Sequence, residues 1–372
     1  MFDLATHPDF GLGWLDASGP HADVVLSTRV RLARNLQGHA FGGRSRPGER
    51  ERILDEVHDA ARGDSRLGGG TMIELDKLSP VGRQVLLERH LISREMAAEN
   101  GTVPHLGAGL ILGPSEAVGA MVNEEDHLRL QSLLSGLRLQ DAYRVVDAVD
   151  EELGGRLAYA YHPEFGYLTS CPTNVGTGLR ASILIHLPGL VLTKEIGRVL
   201  QGINQVGLTF RGLYGEGSEV VGNFFQISNQ TTLGKSEEDL IDHLQNIASK
   251  VIQYETEARS VLMRDAPSVI EDKIWRAYGL LRYARTLSFE EVMNLLSGLR
   301  LGVSMKLLPG LSVYTLNKVM IYSQAAHLEQ AAGRSLADDE SDLHRAAYVR
   351  RILATEGDVS PDATRNGGRE SL

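Results

Sequence analysis

The chain is short of several things, and each shortage excludes something. Its 372 residues contain a single cysteine, Cys171, so an internal disulfide framework is impossible and a reducing, cytoplasmic setting is expected. No apolar run approaches the roughly 20 residues of a membrane-spanning helix. The first residues also lack the basic-then-apolar pattern of an export signal. No membrane association is therefore expected. Lysine is scarce, with seven lysines against thirty-one arginines, and the net charge is −10. Such a balance lacks the dominant positive surface that general nucleic-acid binding needs. Motifs are missing too. No GxGxxG follows a strand, and the GKS at 234–236 is not a P-loop, because Asn229 stands where its first glycine belongs. Ser236 reads instead as the cap of the next helix. With no HExxH, paired CxxC or EF-hand pattern, a protein-built metal cage is not expected.

What is present reads as two regions. Residues 1–22 are an irregular lead-in, and an extended segment then runs through STRVRLARN, 27–35. Helical spacing marks 48–62 and 79–90, the latter capped by Ser79 with Pro80 at its first position. A strand is expected at 71–76 and a hairpin across 108–122. The stretch 123–140 reads as a helix capped by Asn123. Further strands are expected at 156–161, 166–170, 180–187, 206–210 and 219–228, with helices near 193–204 and 236–258. Such a succession suits an α+β catalytic domain, 23–256, built on a largely antiparallel sheet flanked by helices. From 257 to 355 the pattern is all helical, with caps at Ser288 and Thr315. Residues 356–372 lack apolar content and are expected to be a disordered tail.

Two sets of residues carry chemistry. Arg29 and Arg31 alternate in an extended segment and so share one face. Arg129, Arg180 and Arg211 fall in or beside glycine-rich or acidic stretches. A guanidinium fork matches phosphate oxygens bidentately and stays charged at working pH. Phosphoryl transfer needs positioning and positive charge around the moving group more than covalent help. Converging arginines, with Mg²⁺ bridging phosphate oxygens, could hold a triphosphate without a P-loop. The second set is acidic: Glu124 or Glu125 in NEEDH, and Glu216 or Glu219 in YGEGSE. Carboxylates at the edges of a guanidinium could orient it and accept its proton. By itself Glu125–Arg129 is also an ordinary i,i+4 helix pair. Cys171, before Pro172, is either a small buried hydrophobe or a thiol near a cationic substrate.

Taken together, STRVRLARN (27–35), NEEDHLRL (123–130), CPTNVGTGLRAS (171–182) and RGLYGEGSEVVGNFFQISNQ (211–230) resemble the phosphagen (guanidino) kinases, most closely their bacterial McsB-like protein-arginine kinase branch. The resemblance implies ATP contacts from the segment Ser27, Thr28, Arg29, Val30, Arg31, from His90 and Arg129, from Arg180, Ala181, Ser182, and from Arg211, Gly212, Tyr214. It implies that Glu125 holds and deprotonates the guanidinium beside Cys171. Glu216 matches the protein-kinase branch, whereas Glu219 aligns with the second glutamate of small-molecule enzymes. The STRVR segment begins at residue 27, with no room before it for the helical N-terminal domain of the small-molecule kinases. Proteins with exposed arginines are therefore the expected substrates; a kinase for free arginine and an inactive phosphoarginine-binding adaptor are the alternatives. The branch also implies a Clp unfoldase, a McsA-like activator and a stress-gene repressor as partners, and a homodimer. Its phosphoarginine-binding RDxxRA motif is matched by SDLHRA, 341–346, which keeps Asp342 and Arg345 but has Ser341 for the first arginine.

Overall fold

A computed structural model of the protein describes residues 12–98, 106–213 and 220–356. Ten strands are described: β1 (Val25–Arg34), β2 (Thr71–Glu74), β3 (Gly109–Leu112), β4 (Val118–Val122), β5 (Leu128–Ser135), β6 (Tyr161–His162), β7 (Gly166–Tyr167), β8 (Leu179–His186), β9 (Leu208–Arg211) and β10 (Phe224–Asn229). Eight of them form one sheet in the order β2-β3-β4-β5-β1-β8-β10-β9, every neighbouring pair antiparallel. The helices within this region are α1 (Pro47–Arg62), α2 (Pro80–Glu88), α3 (Arg94–Ala97), α4 (Leu139–Gly154), α5 (Pro188–Leu192) and α6 (Ile196–Gln205). Then come α7 (Glu237–Asp265), α8 (Pro267–Tyr283), α9 (Phe289–Ser304), α10 (Val313–Tyr322), α11 (Ala325–Ala332) and α12 (Asp338–Glu356). This is the expected α+β architecture with a helical C-terminal part.

Alternation on the central strands decides where the core sits. Val30 and Leu32 of β1, with Ala181 and Ile183 of β8, point into a core closed by α1, α4 and α7. Arg29 and Arg31 project from the other face. Leu26, Leu133 and Leu184, at one end of that second face, join a separate core with α8, α9, α10 and α12. A third, smaller core packs α2 and α3 on β2 and β3.

Several expectations are corrected. The segment expected as a helix over 123–140 is a tight turn, then β5, and only from Leu139 a helix. Leu128 and Leu130 face the core while Arg129 and Gln131 face the cleft, so the period is two. β5 is paired on both sides, by β4 and β1; its leucines serve two cores, and that blurs the alternation into a helix-like pattern. Strands expected over 156–161 and 166–170 shrink to the two-residue β6 and β7, and β10 begins only at Phe224. α10 is capped by Ser312, whose hydroxyl accepts from the Thr315 amide at 3.0 Å, not by Thr315. α7 runs unbroken through the expected boundary at 256/257. Within the lead-in, Leu12–Leu15 is a 3-10 turn with Trp14 and Leu15 fully buried. Glu356 belongs to α12 and pairs with Lys318 at 2.6 Å; the rest of the expected tail lies outside the described residues. Ser236 does cap α7, in a reciprocal capping box with Asp239.

Candidate active site

Sheet register brings the arginines together. Arg31 of β1 sits opposite Arg180 of β8, and Ala33 sits opposite Arg129 of β5. Arg29, Arg31, Arg129 and Arg180 thus stand on one face of three adjacent strands, and Arg211 closes the group from β9. They line a cleft of about 810 Å³. Like charges directly across a strand pair repel, and the cleft is partly shut from water. Burial first, then the neighbouring guanidiniums of Arg180 and Arg129, pulls Arg29 down to about 10. Burial and the same neighbours, with Arg29 added, pull Arg31 well below its usual range. A guanidinium does not give up its proton in a protein, so the cleft gathers positive charge that favours an anion. Polar neighbours and two glutamates offset part of that crowding. Arg29 donates from Nη2 to Gln226 Oε1 at 3.1 Å, and Arg180 reaches Ser228 Oγ at 3.5 Å.

The acidic part sits in the turn between β4 and β5. Asn123, with φ of 56°, starts it, and its side-chain amide ties the turn to the carbonyls of Arg50 and Gly107 at 2.8 Å each. Asp126 and His127 are buried and structural. Asp126 Oδ1 accepts from Asn35 Nδ2 at 2.7 Å and from the Ser170 amide at 2.6 Å. His127 Nδ1 accepts from the Leu36 amide at 3.0 Å. The two glutamates differ. Glu124 is 3% exposed and accepts from Arg129 Nη1 at 2.7 Å, while Glu125 is 46% exposed and meets Arg129 Nη2 at 3.2 Å. Burial raises the Glu125 carboxyl; Arg129 opposes the rise, and the anions of Glu124 and Asp126 add to it. The Glu125–Arg129 contact is therefore a turn-to-strand pair, not the helical pair the spacing suggested.

Opposite this turn lies the loop after β7. Cys171 is half-buried on the cleft wall, its Sγ 3.0 Å from Thr173 Oγ1. Asn174 of the same loop also lines the cleft. Gly178 closes the loop onto β1, with φ of 66° and room for no side chain: a Cβ there would lie 2.5 Å from the Ala33 carbonyl. On the far wall, His90 follows α2 in a left-handed conformation. Burial, then Arg29 and Arg31, pushes its imidazole down to about 3, so it faces the cleft neutral.

Not every expected contact reaches the cleft. Thr28, Val30 and Ala181 turn their side chains to the opposite face; the Thr28 hydroxyl donates to the Gly136 carbonyl at 2.7 Å. Ser27 and Ser182 line a small recess beside Arg29 rather than the main cleft. Gly212 is buried next to Arg211. Tyr214, Glu216 and Glu219 lie outside the described residues. Asp342 and Arg345 are far in sequence from the cleft and closed on each other: Arg345 pairs with Asp342 and donates to the carbonyls of Ser323 at 2.7 Å and Leu287 at 2.9 Å. Arg94, Gln131 and Gln226 line the cleft without having been singled out. Alternation in FFQISN, which puts Gln226 and Ser228 on one face, was the available signal for one of them. Among the described residues no group of three His, Cys, Asp or Glu side chains could hold a metal ion, and no helix is long and apolar enough to cross a membrane.

An antiparallel sheet that presents clustered arginines beside a paired-glutamate turn defines a guanidino phosphotransferase. The family model for the ATP:guanido phosphotransferase C-terminal catalytic domain matches residues 52–258. The model for the protein-arginine kinase McsB C-terminal domain matches residues 267–364. Protein-arginine kinase of Moorella thermoacetica is 46% identical over 344 residues, covering 92% of this chain and 97% of its own length. That of Bacillus subtilis is 42% identical over 345 residues, covering 92% and 93%. Among solved structures, lombricine kinase matches with a TM-score of 0.55 and 26% identity, covering 65% of this chain and 70% of its own. The duplicated taurocyamine kinase of Schistosoma mansoni gives a TM-score of 0.57 at 25% identity, covering 74% of this chain and 38% of its own. The chain belongs to the ATP:guanido phosphotransferase family, in its McsB protein-arginine kinase branch.

Proposed function

We propose that the protein transfers the γ-phosphoryl group of ATP to the guanidinium of arginine side chains in proteins. The observation that carries this reading is the division of labour between two adjacent glutamates. Glu124 is committed to Arg129 and holds that guanidinium in the phosphate-binding cluster. Glu125 is left exposed at the cleft, its carboxyl raised by burial and by the neighbouring anions of Glu124 and Asp126. A substrate guanidinium entering beside Glu125 would be held through its N–H groups and turned edge-on to the phosphate. As the N–P bond forms and the bond from phosphorus to the leaving ADP oxygen breaks, Glu125 takes a proton from the attacking nitrogen. Arg29, Arg31, Arg129, Arg180 and Arg211 neutralise the charge spreading over the phosphate oxygens. With no described group of three His, Cys, Asp or Glu side chains to hold it, Mg²⁺ would come with the nucleotide and would add positive charge to that neutralisation. Cys171 stands by the guanidinium, and Glu216 is the favoured second carboxylate, with Glu219 the other candidate.

The family branch supports a wider setting. The protein works in the cytoplasm, as a homodimer, on proteins that a Clp unfoldase then receives, with a McsA-like activator and a stress-gene repressor among its partners. The helical unit at 257–355 would serve that regulation. Its Asp342–Arg345 pair is already engaged internally, and Ser341 withholds one cation, so phosphoarginine binding there would be weak.

Incubation with ATP and Mg²⁺, with casein or free arginine as acceptor, tests the reading. Acid-labile phosphate is expected on casein and not on the free amino acid, and the reverse result would make the protein a metabolite kinase. Glu125→Gln should lower turnover by at least about a hundredfold, the scale of a lost general base, while ATP still binds. Turnover near that of the unmutated protein would remove Glu125 from the mechanism.

A further inference from the structure

The wall of the cleft that carries His90 is gripped from the helical C-terminal part. Glu88, the last residue of α2, is buried. Its Oε1 accepts from the Ala326 amide at 2.9 Å, and its Oε2 accepts from the His327 amide at 3.1 Å. Oε2 also lies 2.6 Å from His327 Nδ1. Ala326 and His327 open α11, where amide donors have no partner inside their own helix and favour a negative charge. A carboxylate from the sheet region therefore completes the start of a helix that belongs to the other region.

The chain just beyond Glu88 has little freedom left. Arg89 is buried in an ion pair with Glu116 at 2.8 Å. His90 is held at a φ of 60°, a conformation that an L-residue rarely keeps without support. Its carbonyl accepts from Gln131 Nε2 at 3.0 Å, and its ring meets the edge of Trp14, centroids 5.5 Å apart. His90, Ser93, Arg94 and Met96 then line the cleft. On the far side of the grip, Arg345 donates to the Ser323 carbonyl two residues before α11 begins. One continuous set of contacts thus runs from Arg345 through the entry of α11 and Glu88 to His90.

We propose that Glu88 and His327 are positioning residues, through which the helical part sets the nucleotide wall of the cleft. The inference rests on the cleft being an ATP site. Neither residue touches the cleft, so its effect must pass through the turn at 89–94. A contact that only held the two regions together would change melting and leave ATP binding alone. A positioning contact separates nucleotide affinity from protein-substrate affinity.

The test uses the full chain with Glu88→Ala, His327→Leu and His327→Asn, the last keeping a side-chain donor for Glu88. Calorimetry gives the Kd for ATP, and steady-state kinetics give KM for ATP and for casein separately. Glu88→Ala and His327→Leu should weaken ATP binding about tenfold, the scale of one charge-assisted hydrogen bond. KM for casein should stay within about twofold, and His327→Asn should return ATP affinity to within about twofold of the unmutated chain. Should Glu88→Ala fold poorly, the two His327 variants carry the comparison. Variants that melt earlier yet bind ATP as tightly as the unmutated chain would overturn the inference. An unmutated chain that binds no ATP would instead overturn the reading of the cleft, and this inference with it.

Discussion

Glu124 and Glu125 are adjacent in sequence and opposite in circumstance, and that contrast sets the pH behaviour of the site. In the proposed role, Glu125 must be ionised to accept the proton. Its carboxyl is raised by burial and by nearby anions, so the acid limb of kcat/KM should lie above the ordinary glutamate range. Glu124→Gln removes one of those anions and frees Arg129 to favour Glu125. Both changes lower the Glu125 carboxyl, so the acid limb should move to lower pH even though the rate itself falls. A pH–rate profile of the variant checks this, and a limb that stays put or moves up would show that another group sets it. The sequence made this much legible: two adjacent acids in NEEDH, either of them able to serve. Spacing alone could not say which, because the choice depends on where Arg129 points and the spacing puts Arg129 on a helix; only the family resemblance singles out Glu125. The mistaken element and the open choice have one cause. Arginines 29 and 31 were easier, since alternation in an extended segment needs no partner strand to put both on one face.

At the scale of elements, antiparallel pairing does most of the assembly. Residues separated by some 50 to 150 positions, such as Arg31, Arg129 and Arg180, become neighbours because β5, β1 and β8 lie side by side in register. The loop that feeds β8 must end flush against β1. Gly178 permits this: its φ is positive, and a Cβ would press on the Ala33 carbonyl and on Arg34 Nη1 at 2.7 Å. Arg34 has no slack to give, being fixed by Asp150 at 2.6 Å and by the Thr177 carbonyl at 2.8 Å. Gly178→Ala should therefore destabilise the fold by about 1–3 kcal/mol, read from urea unfolding, and should displace Arg180 enough to weaken ATP binding. A variant as stable as the parent would show that the loop can yield. Helices with capping residues and the strands at 71–74, 179–186 and 208–211 were legible from pattern. Strand character near β6 and β7 was legible, but not how short they are, because two residues carry no period. Nor was the strand character of β5, whose two buried faces erase the alternation that marks a half-exposed strand.

Across the whole molecule, the least legible part was the lead-in. Its mixed composition reads only as an irregular lead-in, yet Trp14 and Leu15 sit in the helical core. Asn317 Nδ2 donates to the Leu15 carbonyl at 2.7 Å, and Arg300 Nη2 donates to the Ala22 carbonyl at 2.6 Å. No local signal announces such a role, because the partners lie some 280 to 300 residues away. The arginine cluster also has a consequence on this scale. Like charge held on a stiff sheet works against the fold that holds it. Arg31→Gln should disable transfer and at the same time raise the melting temperature of the nucleotide-free protein. In that variant the further rise on adding ATP should shrink. Thermal unfolding with and without ATP checks both signs, and a lower melting temperature for the nucleotide-free variant would show that packing by Arg31 outweighs its repulsion.

The same cluster ties the survival of the protein to its fuel. Whatever binds only the folded state adds stability in proportion to the logarithm of its concentration over its Kd, and here the ligand also removes a repulsion built into the sheet. If the cleft takes ATP as proposed, bound ATP reinforces the fold, and without it the sheet keeps its own repulsion.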